Sequence, residues 1–159
     1  MSTVIGIFDD KGSAERALRE IENLGFTEEE VSLVAKEDEQ EGQDNSYLDQ
    51  DLTNGAATGG ALGGIAAIAA SVGALAIPGI GPILAAGPIA AGLTGAAAGG
   101  IAGSLVDMGI PQERGDYYEG EIKKGKILAA VDLMDADEGE IEDIRSIFDD
   151  NGAKDVETH

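Results

Sequence analysis

The chain has 159 residues, no cysteine and a formal net charge of −21, from 31 acidic against 10 basic residues. That balance excludes a nucleic-acid binder that works by displacing phosphate counterions, and it opposes attraction to an anionic lipid surface. The missing cysteines exclude disulfides, thiol catalysis and thiolate metal sites.

Composition divides the chain into acidic ends and an uncharged middle, residues 52–106. A salty cytoplasm is one explanation of the excess acid, because salt screens the repulsion between copies. Met1-Ser2-Thr3-Val4 opens without a basic or apolar leader, so the expected compartment is the cytoplasm, free or at the inner face of a membrane.

Residues 1–36 read as a first βαβ half. Val4-Ile5-Gly6-Ile7-Phe8 is a short apolar run suited to a strand. Asp9, Asp10, Gly12 and Ser13 supply turn and N-cap chemistry. Ala14, Ala17, Leu18, Ile21 and Leu24 then recur at helical spacing, Gly25 stops the helix, and Val31-Ser32-Leu33-Val34 is the second strand. Residues 37–54 are an acidic linker with little to bury.

Residues 55–106 are expected to form a glycine-zipper helical hairpin, one helix over Gly55–Ile77 and the other over Ile83–Val106. Pro78, Gly79, Gly81 and Pro82 mark its turn, and Gly87 and Pro88 delay the second helix. Gly55, Gly59, Gly63, Ala67 and Ser71 stand four apart, with Gly60 and Gly64 in a parallel row. Ala91, Gly95, Gly99 and Gly103 repeat the spacing, with Gly100 beside them. Four-residue spacing puts small residues on one face, where two backbones can approach closely. Neither helix has a charged face, so both need cover on every side.

Residues 107–159 hold a connecting helix near Gln112–Lys124, then a second βαβ half. Its strand is Lys126–Val131, its helix carries Ile141, Ile144, Ile147 and Phe148, Asn151-Gly152 ends that helix, and Asp155-Val156-Glu157 closes the unit. The expected fold is therefore α+β, a split ferredoxin-like βαβ…βαβ domain with two helices on one sheet face and an inserted apolar Gly/Ala-rich helical hairpin.

Catalytic signatures are missing. No Gly-x-x-x-x-Gly-Lys-Ser/Thr loop occurs, and Gly79-Ile80-Gly81-Pro82 lacks the later glycine of a dinucleotide turn. Asp135-Ala136-Asp137-Glu138-Gly139 departs from a calcium loop, its glycine one place early. His159 is the single histidine. No catalytic, cofactor or metal residues are assigned, and a non-enzyme is expected.

Val4–Asp10, the Ala/Leu helix and Leu24-Gly25-Phe26 resemble the opening of general stress proteins of the 17M-like type, also called heat-induced stress protein domains. Gly73–Pro88, Gly109-Ile110-Pro111, Tyr117-Tyr118-Glu119 and Gly125-Lys126-Ile127-Leu128 are similar to later parts of that family. The resemblance implies a role in stress and no catalytic residues. The expected function is a stress-associated protein whose hairpin drives homo-oligomeric self-assembly with the acidic domains outside. The alternatives are a two-span membrane protein with the hairpin in a lipid bilayer, and a small-ligand-sensing ferredoxin-like domain.

Overall fold

The computed structural model describes residues 2–27, 29–36, 75–77, 80–95, 99–134 and 137–159. Among these, eleven elements follow in the order β1 Ser2–Phe8, α1 Lys11–Asn23, β2 Val31–Lys36, β3 Leu75–Ile77, β4 Gly81–Ala86, α2 Pro88–Gly95, α3 Gly100–Asp107, α4 Gln112–Lys123, β5 Ile127–Leu133, α5 Glu138–Asp150 and β6 Lys154–Thr158. They form a mixed α+β domain around one antiparallel sheet of six strands, ordered β3-β4-β2-β5-β1-β6.

Local chemistry sets the helix ends. The Ser13 N–H donates to the Asp10 carboxylate at 2.9 Å and starts α1. Asp137 and Glu140 make a reciprocal capping box at the start of α5. On the sheet, Val4, Phe8, Ala129, Val131 and Leu133 face α1 and α5, and Phe8 meets Phe148 edge-on at 5.5 Å. The alternate residues Ile5, Ile7, Val34, Leu128 and Ala130 face a second layer of α2, α3 and α4. Both faces of β1 and β5 are therefore covered.

That second layer overturns the helical hairpin. Leu75–Ile77 and Gly81–Ala86 are paired strands rather than helix ends, with Ile77 opposite Gly81. Proline explains the change. A residue before proline is pushed out of the helical region, and Ile77, Gly81 and Gly87 each precede one. Pro82 lies outside the β2 ladder, which starts at the Ile83–Lys36 pair, so its missing N–H costs no bond to β2. The second expected helix is broken into α2 and α3, of eight residues each. Its apolar side chains Ile83, Ile89, Ile101 and Leu105 are fully buried in the chain's own core.

The functions built on that hairpin fall with it. Among the described residues, no helix is long and apolar enough to cross a membrane, which removes the two-span reading and the bilayer partner drawn from it. The described apolar side chains of 83–105 cover this chain's own sheet, so among the described residues no apolar hairpin is left to join copies, and the homo-oligomer reading is corrected too. The α+β class stands, and the second face is not open.

Candidate functional site

The strand register assembles a polar corner under α4. Thr3 pairs with Asp132 across β1 and β5, and Thr3 and His159 exchange backbone hydrogen bonds, both 2.9 Å. His159, Thr3 and Asp132 thus form one transverse row. The next row is Glu157, Ile5, Ala130 and Ser32. Directly opposite residues point to the same face, so all of these lie on the side covered by α2–α4.

Glu157 is the hub. It receives Arg114 on both oxygens, Nε at 2.8 Å and Nη2 at 2.5 Å. The Tyr118 hydroxyl donates to it at 3.2 Å. His159 Nε2 approaches Glu157 Oε2 to 3.2 Å without hydrogen-bond alignment, and among the described residues this buried ring nitrogen has no hydrogen-bond partner. The Arg114 guanidinium also lies over Tyr117 and Tyr118, 4.7 and 5.0 Å from their ring centres. Tyr117 donates to Asp155 at 2.5 Å, a residue held at φ +52 in β6.

The electrostatics follow from these contacts. Burial pushes the Tyr118 phenol up to about 12, so it remains a hydrogen-bond donor. The bond to Asp155 raises Tyr117. Burial raises Asp132, opposed only by the 2.7 Å bond from Thr3 Oγ1. Asp132 is 7% exposed and carries the corner's least compensated charge.

A second cluster ties the opposite end of α4 to the sheet. Glu121 accepts from Lys124 at 2.5 Å and from Lys126 at 2.7 Å. Lys126 also reaches Asp9 at 3.4 Å, and Lys154 closes the chain on Asp9. Lys124 and Lys126 hold Glu121 below the usual carboxylate range, and Lys154 does the same for Asp9. This alternating line joins the β1–α1 turn, α4, β5 and β6. Nearby, Glu119 accepts from the Ala102 N–H at 3.1 Å in the first turn of α3.

The expected self-association residues fare differently. Gly55, Gly59, Gly60, Gly63, Gly64, Ala67, Ser71, Pro78 and Gly79 lie outside the described residues. Ala91 and Gly95 lie on α2, whereas Gly100 and Gly103 lie on α3 behind Gly99, so one helical stripe does not connect them. Ala91 is exposed, and a Cβ at Gly103 would meet nothing within 4 Å. Close backbone approach occurs elsewhere and within one chain. A Cβ at Gly115 would sit 3.0 Å from the Ala102 carbonyl, and one at Gly92 would sit 3.3 Å from Ser104. Gly87, which turns the chain from β4 into α2, has φ +80 and no room at all.

Among the described residues, no group of three or more His, Cys, Asp or Glu is placed to hold a metal ion. Sequence reading missed the Arg114–Glu157–Tyr118 hub, although Arg114 and Tyr118 stand four apart on one helix face. Their shared partner lies in a strand 39 residues beyond Tyr118.

Comparison with protein-family models, curated proteins and solved structures returns no match for this chain, so the expected stress role has no relative behind it.

Proposed function

We propose that this is a non-enzymatic acidic α+β domain of split ferredoxin-like plan, adapted to remain folded in concentrated salt, whose uncharged insertion joins α4 in a second helical layer over its own sheet. The carrying observation is that Ile83, Ile89, Ile101 and Leu105 of the insertion are fully buried against Ile5, Ile7 and Leu128 of the sheet. The order β2-β5-β1-β6, with α1 and α5 on one face, supports the ferredoxin-like plan. The similarity of Val4–Asp10 and Gly73–Pro88 to the 17M-like family is kept as a proposal of ancestry that assigns no activity.

The polar corner supports a fastening role rather than catalysis. Arg114, Tyr118, Tyr117, Glu121 and Lys126 are each spent on an internal partner. The outer side of α5, by contrast, carries exposed Glu138, Glu140, Glu142, Asp143, Asp149 and Asp150 with Arg145 as its one base. Such a surface repels itself at low ionic strength and is relieved by salt.

Thermal unfolding between about 0.1 M and about 3 M KCl tests the reading, because screening lengths fall from about 10 Å to under about 3 Å in that range. The midpoint rises steeply with salt if the acid excess serves a salty setting. A flat or falling midpoint refutes it.

A further inference from the structure

We propose that Asn151 is a site of spontaneous deamidation, and that the reaction turns a tie between α1 and α5 into a repulsion. Asn151 and Gly152 form the turn that ends α5. The Asn151 carboxamide donates to the Ile147 carbonyl at 2.9 Å and to Glu20 on α1 at 3.2 Å. Gly152 is exposed, has φ +81, and a Cβ there would meet nothing within 4 Å. The following backbone nitrogen is therefore carried by a residue with no side chain to hinder its approach.

The reaction needs only water. The Gly152 nitrogen attacks Asn151 Cγ and loses its proton, the bond from Cγ to the side-chain nitrogen breaks, and ammonia leaves. Water opens the resulting five-membered succinimide at either carbonyl, giving aspartate or isoaspartate. No atom is oxidised or reduced.

The fold restrains the first step. The Gly152 N–H donates to the Asp149 carbonyl at 3.0 Å, and Asn151 sits at ψ 8°, in the hydrogen-bonded turn. Attack requires that turn to open, and helix ends open at the lowest cost. The product removes the only donor in the tie. A carboxylate at 151 faces a carbonyl and the Glu20 carboxylate, next to Asp149 and Asp150 in the chain. Isoaspartate also lengthens the backbone by one carbon within a two-residue turn.

The test is peptide mapping of the full chain held in mildly alkaline buffer, native and in denaturant, with Asn151 resolved from the second Asn-Gly pair, Asn54-Gly55. The expected result is the amide-to-acid mass gain and isoaspartate at position 151, slower in the native chain than in the unfolded one. Asn151→Asp should lower the melting midpoint by about 2–6 °C and speed hydrogen exchange where α1 meets α5. A native chain that stays unmodified at 151 while the denatured chain reacts overturns the site. An Asn151→Asp midpoint equal to the parent's overturns the coupling.

Discussion

Gly87 and Gly103 belong to the same uncharged segment, yet alanine at the two positions should act in opposite directions. At Gly87 an added Cβ falls 2.0 Å from the Val31 carbonyl oxygen and 2.8 Å from both Val31 C and Ser32 Cα. These are backbone atoms of a strand paired on both sides, so relief requires β2 or the start of α2 to move by about 1 Å or more. The φ of +80 adds a left-handed penalty of about 1–2 kcal/mol for a residue with a Cβ. Overpacking of this kind costs about 1–3 kcal/mol more. Gly87→Ala should thus lose about 2–5 kcal/mol and lower the melting midpoint by roughly 10 °C. Gly103 lies inside α3, where a Cβ meets no neighbour, so alanine should gain about 0.5–1 kcal/mol from helix propensity. Circular dichroism melts and urea titrations at one protein concentration measure both. A Gly87→Ala midpoint within a degree or two of the parent, or a Gly103→Ala loss as large as that of Gly87→Ala, would refute the reasoning.

Two buried carboxyls should respond to pH with opposite signs. Burial raises Asp132 above its ordinary 3.8, so its stabilising contribution is present below 3.8 and is lost as pH rises through the folded value. Asp132→Asn should therefore be more stable than the parent near neutral pH and should lack that decline, as read from urea midpoints across the acid range. Lys124 and Lys126 lower Glu121, whose contribution is present above 4.5 and is lost as pH falls through the lower folded value. Glu121→Gln should cost about 1–3 kcal/mol near neutrality, less than a fully buried pair, because Lys124 is 67% and Lys126 28% exposed and both regain water. The same titration should show part of the acid sensitivity gone, and an unchanged acid limb would count against the lysine line as its cause.

The outer halves were legible because local rules and tertiary demand agree there. Asp10 and Ser13 start α1, Ala14, Ala17, Leu18 and Ile21 bury one face, and Asn151-Gly152 ends α5, all from short-range chemistry. The sheet carries helices on both faces rather than the expected one, and the sequence holds a signal for it. Val4–Phe8 and Ile127–Val131 are unbroken apolar runs rather than alternating ones, and a strand of that kind needs cover on both faces. The expectation of two helices on one face left the Ile5, Ile7 and Leu128 side open. In the same sequence the uncharged segment 52–106 needs apolar cover of its own. The two surpluses answer each other, and α2–α4 close that face.

Glycine spacing records that backbones come close, while the prolines decide which ones. Pro78, Pro82 and Pro88 keep Ile77, Gly81 and Gly87 out of the right-handed helical region, so β4 enters the sheet beside β2 with β3 outside it, and α2 comes down over Ser32, whose hydroxyl receives the Ile89 N–H at 3.1 Å. Once α2 is anchored there, α3 folds back on it through Gly92 and Ser104, and α4 packs on α3 through Gly115 and Ala102. These close approaches fall at Gly92, Ser104, Gly115 and Ala102, none of which is among the small residues expected to join copies. The polar corner follows from the same step. Placing α4 across the sheet face, packed on β2 and β5, brings Arg114 and Tyr118 onto Glu157 of β6, and that meeting depends on sheet order and helix placement together, with no local motif to announce it.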